Sequence, residues 1–338
     1  MSPLALGAAT FGDEWGWGAT KDEARRMFDT YVDRGGNFVD TADVYTDGTS
    51  EVLVGEFARH RRDSLVIATK YSSMTDRRDP NSGGGPRKNM MTSVESSLRR
   101  LGTDHVDVLY LHVWDDMTPV EETLRGMDDL VRQGKVHYVA MSSAPAWQVS
   151  RMQAIADLRG WSPLVALQVE YNLLDRTPER DLVPMAREMG LGVVPFSPLA
   201  GGVLSGSYSR SDLGAPASED EPDGTRRHLN RALGTVTERN LAIADEVRDI
   251  AHEVGRSPAQ VALAWVLHRP GVTAPILGAR TVEQLEGNLG ALEVDLDPQH
   301  LDRLETASAF ELGAPHALLA SDHIRAVTRG DLVIQGRG

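Results

Sequence analysis

Short runs rich in Val, Ile, Leu and Ala alternate with amphipathic stretches almost from the first residue. The runs predict strands at 4–9, 37–40, 65–70, 106–112, 136–142, 165–170, 192–197 and 272–278. Most are continuously apolar rather than alternating, as parallel strands buried on both faces must be. Between them a 3.6-residue periodicity predicts helices at 22–33, 50–59, 88–101, 120–132, 146–158, 181–189, 237–254 with 258–268, and 282–289. Gly102 and Gly160 follow helix ends, and Pro119 and Pro258 sit near helix starts, where each residue type fits best. Eight strand–helix repeats predict an α/β fold, a (β/α)8 TIM barrel. An open Rossmann sheet is disfavoured because no G-x-G-x-x-G follows the first strand.

Two stretches break the rhythm. Residues 201–236 are rich in Gly, Ser, Pro, Asp and Arg and follow the seventh strand, on the side where barrel active sites are built. This long loop is expected either to cover a ligand or to be a plain surface loop. After residue 292 a C-terminal extension adds one more helical pattern at 298–307 and then a weakly patterned end. No linker divides the chain, so 1–338 reads as one domain.

Composition narrows the partners. With 35 basic and 49 acidic side chains the net charge is −14, which repels nucleic acid and anionic membrane surfaces. There are no cysteines, hence no disulfide framework and no thiolate metal site. The N-terminal segment is too short and lacks the basic region of a signal peptide, and no apolar run approaches the ~18 residues of a membrane span. A cytoplasmic protein is the expectation; oligomeric state has no sequence signature here.

Strands of such a barrel aim their C-terminal ends at one mouth. Asp40 ends the second predicted strand, Lys70 the third and His112 the fourth, and Tyr45 lies five residues beyond Asp40. Singly, each is an ordinary cap or surface group; together at successive strand ends they define a site. A buried Lys70 requires a counter-charge, which Asp40 supplies. The ammonium is expected to lower the pKa of the Tyr45 phenol, making it a proton donor to a carbonyl oxygen that His112 orients. No serine elbow suggests acyl transfer, and no H-x-x-H or carboxylate cluster suggests a metal.

At these residues the chain resembles the aldo-keto reductase superfamily. The strongest pieces are Phe38-Val-Asp-Thr-Ala-Asp-Val-Tyr45, Ala68-Thr-Lys70, Asp107-Val-Leu-Tyr-Leu-His112 and Pro195-Phe-Ser-Pro-Leu-Ala200. The resemblance implies a catalytic tetrad of Asp40, Tyr45, Lys70 and His112, with Tyr45 as general acid. It implies NADP(H) bound along the barrel mouth, and a small-molecule carbonyl substrate. Ser142 and Gln168 would hold the nicotinamide carboxamide, Phe196 would stack on the ring, and Ser197, Leu199 and Gly201 would meet the pyrophosphate. Gly278, Arg280, Gln284 and Asn288 would hold the adenosine end, with Arg280 favouring the 2′-phosphate. Trp15, Trp17 and Trp114 fall in loops that line the substrate cleft in relatives, which implies an aromatic-walled pocket.

Three features depart from the family. Ser143 stands where relatives usually have Asn, and Ser207 where many have Lys. The chain also begins almost on its first strand, without the hairpin that commonly closes the barrel bottom, so the C-terminal tail is expected to cover that end. Two alternatives stay open: a cofactor-binding scaffold, as potassium-channel β subunits are in this superfamily, and a lyase or isomerase using Lys70 as a Schiff base. An aryl aldehyde, a quinone-like ketone, a keto sugar and a β-keto ester all remain compatible as substrates.

Overall fold

Each apolar run pairs with the next, and the eight strands form one parallel sheet. They are β1 (Ala5–Gly7), β2 (Phe38–Asp40), β3 (Val66–Tyr71), β4 (Val106–Leu111), β5 (Val136–Ser142), β6 (Leu164–Glu170), β7 (Gly192–Phe196) and β8 (Ile276–Leu277). Their spatial order is β7-β6-β5-β4-β3-β2-β1-β8. The ring closes between β7 and the approach to β8, where Thr273 N–H donates to Val193 O at 2.7 Å and Val193 N–H to Gly271 O at 3.1 Å. This is the expected (β/α)8 barrel. The computed structural model describes residues 1–213, 230, 233–330 and 332, so the middle of the long loop after β7 lies outside the described residues.

The helices follow the predicted periodicity to within one or two residues. They are α1 (Lys21–Asp33), α2 (Thr49–Ala58), α3 (Arg87–Leu101), α4 (Val120–Arg132), α5 (Ala146–Arg159) and α6 (Leu182–Glu188). Then come α7 (Glu238–Glu253), α8 (Pro258–Leu267), α9 (Val282–Leu289) and α10 (Pro298–Ala307). Gly102 and Gly160 end α3 and α5 with φ of +63° and +62°. The last strand is much shorter than predicted. Pro275 has no N–H to give the ladder, so regular pairing begins only at Ile276. Two short helices, α11 (His316–Leu319) and α12 (Asp322–Arg329), occupy the weakly patterned end.

The barrel interior is filled by alternate strand residues, among them Phe38, Ala68, Val108, Tyr110, Ala140 and Val194. At the strands' N-terminal end, Ser2 N–H donates to Asn37 Oδ1 at 2.7 Å. Beside it the Tyr31 hydroxyl lies 2.7 Å from Leu4 O and 2.9 Å from Phe38 O. The described part of the tail does not lie beneath the barrel as expected. Instead α10 packs along α7, with Arg303 bonded to Glu246 at 2.6 Å. Beyond α10, Ser308 accepts from the buried Arg176 at 2.9 Å. Glu305 also pairs with Arg269 and accepts from the indole N–H of Trp265, a fully buried side chain. A side of α7 and a buried guanidinium needed cover, and the tail provides it.

The packing of α2 on α3 is set by a single small residue. A Cβ on Gly55 would lie 2.2 Å from the Leu101 carbonyl oxygen and 2.5 Å from its carbon, so the helices touch backbone to backbone. Gly55→Ala should therefore destabilise the protein by ~1–3 kcal/mol, although alanine is the better helix former. Urea unfolding of the variant measures this; equal or greater stability would mean the helices separate at no cost.

Candidate active site

The second, third and fourth strands bring Asp40, Lys70 and His112 to the same mouth, and the segment after β2 returns Tyr45 to them. Lys70 is wholly buried, and its three N–H donors are all used. They reach Asp40 Oδ2 at 2.5 Å, Thr41 O at 2.9 Å and the Tyr45 oxygen at 3.1 Å. Because the phenol oxygen accepts from the ammonium, the Tyr45 proton is free to point elsewhere. The other Asp40 oxygen accepts from Gln168 Nε2 at 2.9 Å. Asp40 is thus held from two sides.

Tyr45 sits at the start of a strained turn. Thr46 and Asp47, neither of them glycine, take φ of +46° and +54°, a conformation that persists only where surroundings impose it. Here Thr46 Oγ1 donates to Phe11 O at 2.7 Å and accepts from Ser50 N–H at 3.0 Å. The turn is locked between the first loop and the start of α2. The edge of Trp15 meets the Tyr45 ring at 6.3 Å, and the His112 ring meets it at 5.8 Å, both near perpendicular.

Electrostatics sharpen the roles. Burial pulls the Lys70 ammonium toward neutrality, but Asp40 and Tyr45 more than reverse this and leave it charged. A Schiff base requires the neutral amine, so this environment speaks against a lyase-type lysine. His112 is pushed down to about 3, by burial first and by the Lys70 charge second, and is a neutral imidazole at physiological pH. Its Nδ1 lies 3.1 Å from Ser73 Oγ, which fixes the ring and leaves Nε2 for the cavity. The expectation for the phenol is reversed. Burial raises the Tyr45 pKa by more than the Lys70 charge lowers it, so the group keeps its proton at neutral pH.

A cavity of about 990 Å³ opens above these groups. Its wall includes Asp40, Tyr45 and His112, while Lys70 lies buried behind them. It also includes all ten residues assigned to a cofactor: Ser142, Gln168, Phe196, Ser197, Leu199, Gly201, Gly278, Arg280, Gln284 and Asn288. Trp15 and Trp17 line it, with ring centroids 5.7 Å apart. Trp114 does not; it packs against the hydrophobic core, and its backbone N–H donates to Ser143 O at 3.3 Å. Ser207, one of the family departures, lies on the wall beside Ser205, 2.9 Å away. Ser143, the other, has φ +47° and donates its N–H to Gln168 O at 3.2 Å.

Several residues that shape the cavity carried no sequence signal. Asn230, from the long loop, donates to Gly201 O and to the Tyr208 hydroxyl, each at 2.8 Å. Asn172 donates to Ser197 O at 3.0 Å and accepts from two amides of its own turn. Ser73 behind His112 belongs to the same class. Each acts through a contact across a loop, and an isolated Asn or Ser in a loop looks the same whether or not it does so.

The chain belongs to the aldo/keto reductase family, whose model matches residues 3–309. It is an oxidoreductase of that family. It is 36% identical to an aryl-alcohol dehydrogenase [NADP(+)] of Phanerodontia chrysosporium, over 94% of this chain and 85% of that one. It is 35% identical to norsolorinic acid reductase B of Dothistroma septosporum, over 95% and 81% of the two chains.

One buried acid beside the site is under tension. Asp43 is 3% exposed; neither carboxyl oxygen meets a partner in good hydrogen-bond geometry, and the nearby Ser93 hydroxyl, 3.2 Å from Asn89 Oδ1, only partly offsets its burial. Burial first, and the Glu51 charge second, push Asp43 up to about 7, against the opposing pull of Arg100 and Lys70. A carboxyl raised in the folded state contributes fully at acid pH and costs stability as pH climbs through the folded value. Asp43→Asn cannot charge, so its stability relative to the parent should improve between pH 5 and pH 8, by on the order of 2–4 kcal/mol. Paired melting curves across that range check it; a constant difference would mean Asp43 is already ionised at pH 5.

Proposed function

We propose that this protein reduces an aromatic aldehyde or ketone to the alcohol with NADPH, Tyr45 giving the proton. The observation that carries this reading is the direction of the Tyr45 hydrogen bond. Its oxygen accepts from Lys70 Nζ at 3.1 Å, so its O–H faces the cavity, where a carbonyl oxygen would lie. NADPH, when bound, supplies the hydride. Tyr45 holds its proton until negative charge develops on the substrate oxygen; Lys70 then stabilises the phenolate left behind. Neutral His112 donates from Nε2 to the same oxygen and sets its angle. Asp40 keeps the ammonium in place and charged. The shift of Tyr45 to a higher pKa suits this sequence, because the resting acid stays protonated.

The cavity suits the cofactor in shape and charge. Gly201, Gly202 and Gly278 bring bare backbone to the wall where a diphosphate would pass. Arg280 is exposed beside the first turn of α9, its backbone N–H fixed by Gln284 Oε1 at 2.9 Å, so the guanidinium is available to a phosphate. The paired indoles of Trp15 and Trp17 next to Tyr45, tilted 36° to one another, form an apolar wall that favours a ring-bearing substrate. The relatives' names, aryl-alcohol dehydrogenase and norsolorinic acid reductase, support the same choice.

Tyr45→Phe should lower kcat by on the order of 10²–10⁴ while NADPH affinity stays nearly unchanged. A panel of aryl aldehydes, followed by loss of NADPH absorbance, gives the rate; wild-type turnover by the variant would remove Tyr45 as the acid. Arg280→Ala should weaken NADPH binding by roughly 10–100-fold and NADH binding far less. Quenching of tryptophan fluorescence by the two cofactors separates the cases, and equal weakening would move Arg280 to the shared diphosphate.

A further inference from the structure

At the end of the barrel opposite the cavity, three side chains gather that the sequence keeps apart. His105, Asp107 and His137 each bring one potential ligand atom to within 4.8 Å of the others. Sheet geometry produces the cluster. Alternate residues of a strand face the same side, so His105 and Asp107 share a face. Val106 pairs with Val136 and Val108 with Tyr138, which sets His137 beside Asp107 on the neighbouring strand. The two imidazole rings lie 4.5 Å apart and nearly parallel.

The donors are already directed. His105 Nδ1 is 2.7 Å from Asp104 Oδ1, which places the ring proton on Nδ1 and leaves the Nε2 lone pair unused. A carboxylate behind an imidazole is the arrangement metal-binding histidines adopt. The oxygens of Asp107 are divided between two tasks. Oδ2 accepts from Ile67 N–H at 2.8 Å and pairs with Arg62 at 2.9 Å, whereas Oδ1 faces His137 Nδ1 at 3.6 Å. Arg62 also donates to Leu65 O and His105 O, each at 3.1 Å, and so fixes the backbone that carries two of the donors. The side chains of Asp107 and His137 are 17% and 47% exposed, so an ion can enter and His137 can turn toward it.

We propose that His105, Asp107 and His137 form a binding site for a divalent transition-metal ion of the zinc class, completed by water. Two imidazoles and one carboxylate suit zinc, nickel or copper and not magnesium or calcium. A tetrahedral ion with bonds of ~2.0–2.1 Å holds its donors roughly 3.4 Å apart. Side-chain rotation of the half-exposed His137 closes most of that gap. The ion ties the start of β4 to the start of β5, far from the reducing groups. The Arg62 charge against Asp107 opposes the ion, so the site is weaker than a four-ligand structural zinc centre.

The test uses the full chain, stripped with a chelator and titrated with zinc by calorimetry and with cobalt(II) by visible ligand-field absorption. One ion per chain is expected, with a rise in Tm of roughly 4 °C at a hundredfold excess over Kd. His137→Ala and His105→Ala should each weaken zinc at least tenfold, while His300→Ala, at a separate histidine–carboxylate group, leaves it unchanged. Near-ultraviolet circular dichroism reports whether each variant is folded, and exposed His137 carries the test alone if His105→Ala is not. Zinc binding undiminished in a folded His137→Ala, or no cobalt absorption in the parent, overturns the proposal.

Discussion

A fully buried ammonium is the constraint around which the barrel mouth is organised. Lys70 has no exposure to water, and an unpaired charge there would cost several kcal/mol. Asp40 provides the counter-charge, Thr41 and Tyr45 take the remaining protons, and Gln168 holds Asp40 from the far side. These partners come from β2, β6 and the segment after β2, and meet the lysine of β3. No single segment supplies them all, so the charge is stable only when the barrel has closed in the right register. Folding and site assembly are one event.

The same burial decides how the Tyr45 phenol is poised. Low polarity raises Tyr45, the Lys70 charge lowers it, and burial is the larger of the two. His112 loses its charge for the same two reasons acting together. One cation in a dry site therefore gives a protonated phenol and a neutral imidazole side by side. Both are hydrogen-bond donors at neutral pH, which a developing alkoxide needs. Asp43 is the counterexample nearby: buried with too little support from its neighbours, it is driven toward its neutral form.

Much of this was legible in the sequence, for identifiable reasons. Strands buried on both faces are continuous apolar runs, and the residue ending each run points to the mouth, so Asp40, Lys70 and His112 could be placed before their contacts were seen. The ten residues proposed to hold a cofactor were named only through family resemblance, and all ten line the cavity. What failed depended on competition or on distance. The sign of the Tyr45 shift is a balance between burial and charge that residue identity does not settle. Trp114 lies two residues beyond His112 yet turns into the core, which loop position alone does not determine. The tail carries a helical pattern, but its docking partner, α7 rather than the barrel bottom, is set by ion pairs 50 and 57 residues apart in sequence. The His105–His137 pairing depends on the register of two strands and was invisible for the same reason.

The proposed reaction is a direct hydride transfer from NADPH to a carbonyl carbon held above Tyr45. A single turnover with NADPH deuterated at the transferring position and an aromatic aldehyde tests this most directly. One deuterium is expected on the carbinol carbon of the alcohol for each NADPH consumed. Alcohol carrying hydrogen from solvent at that carbon, or NADPH left unoxidised across a panel of aromatic aldehydes and ketones, would contradict it.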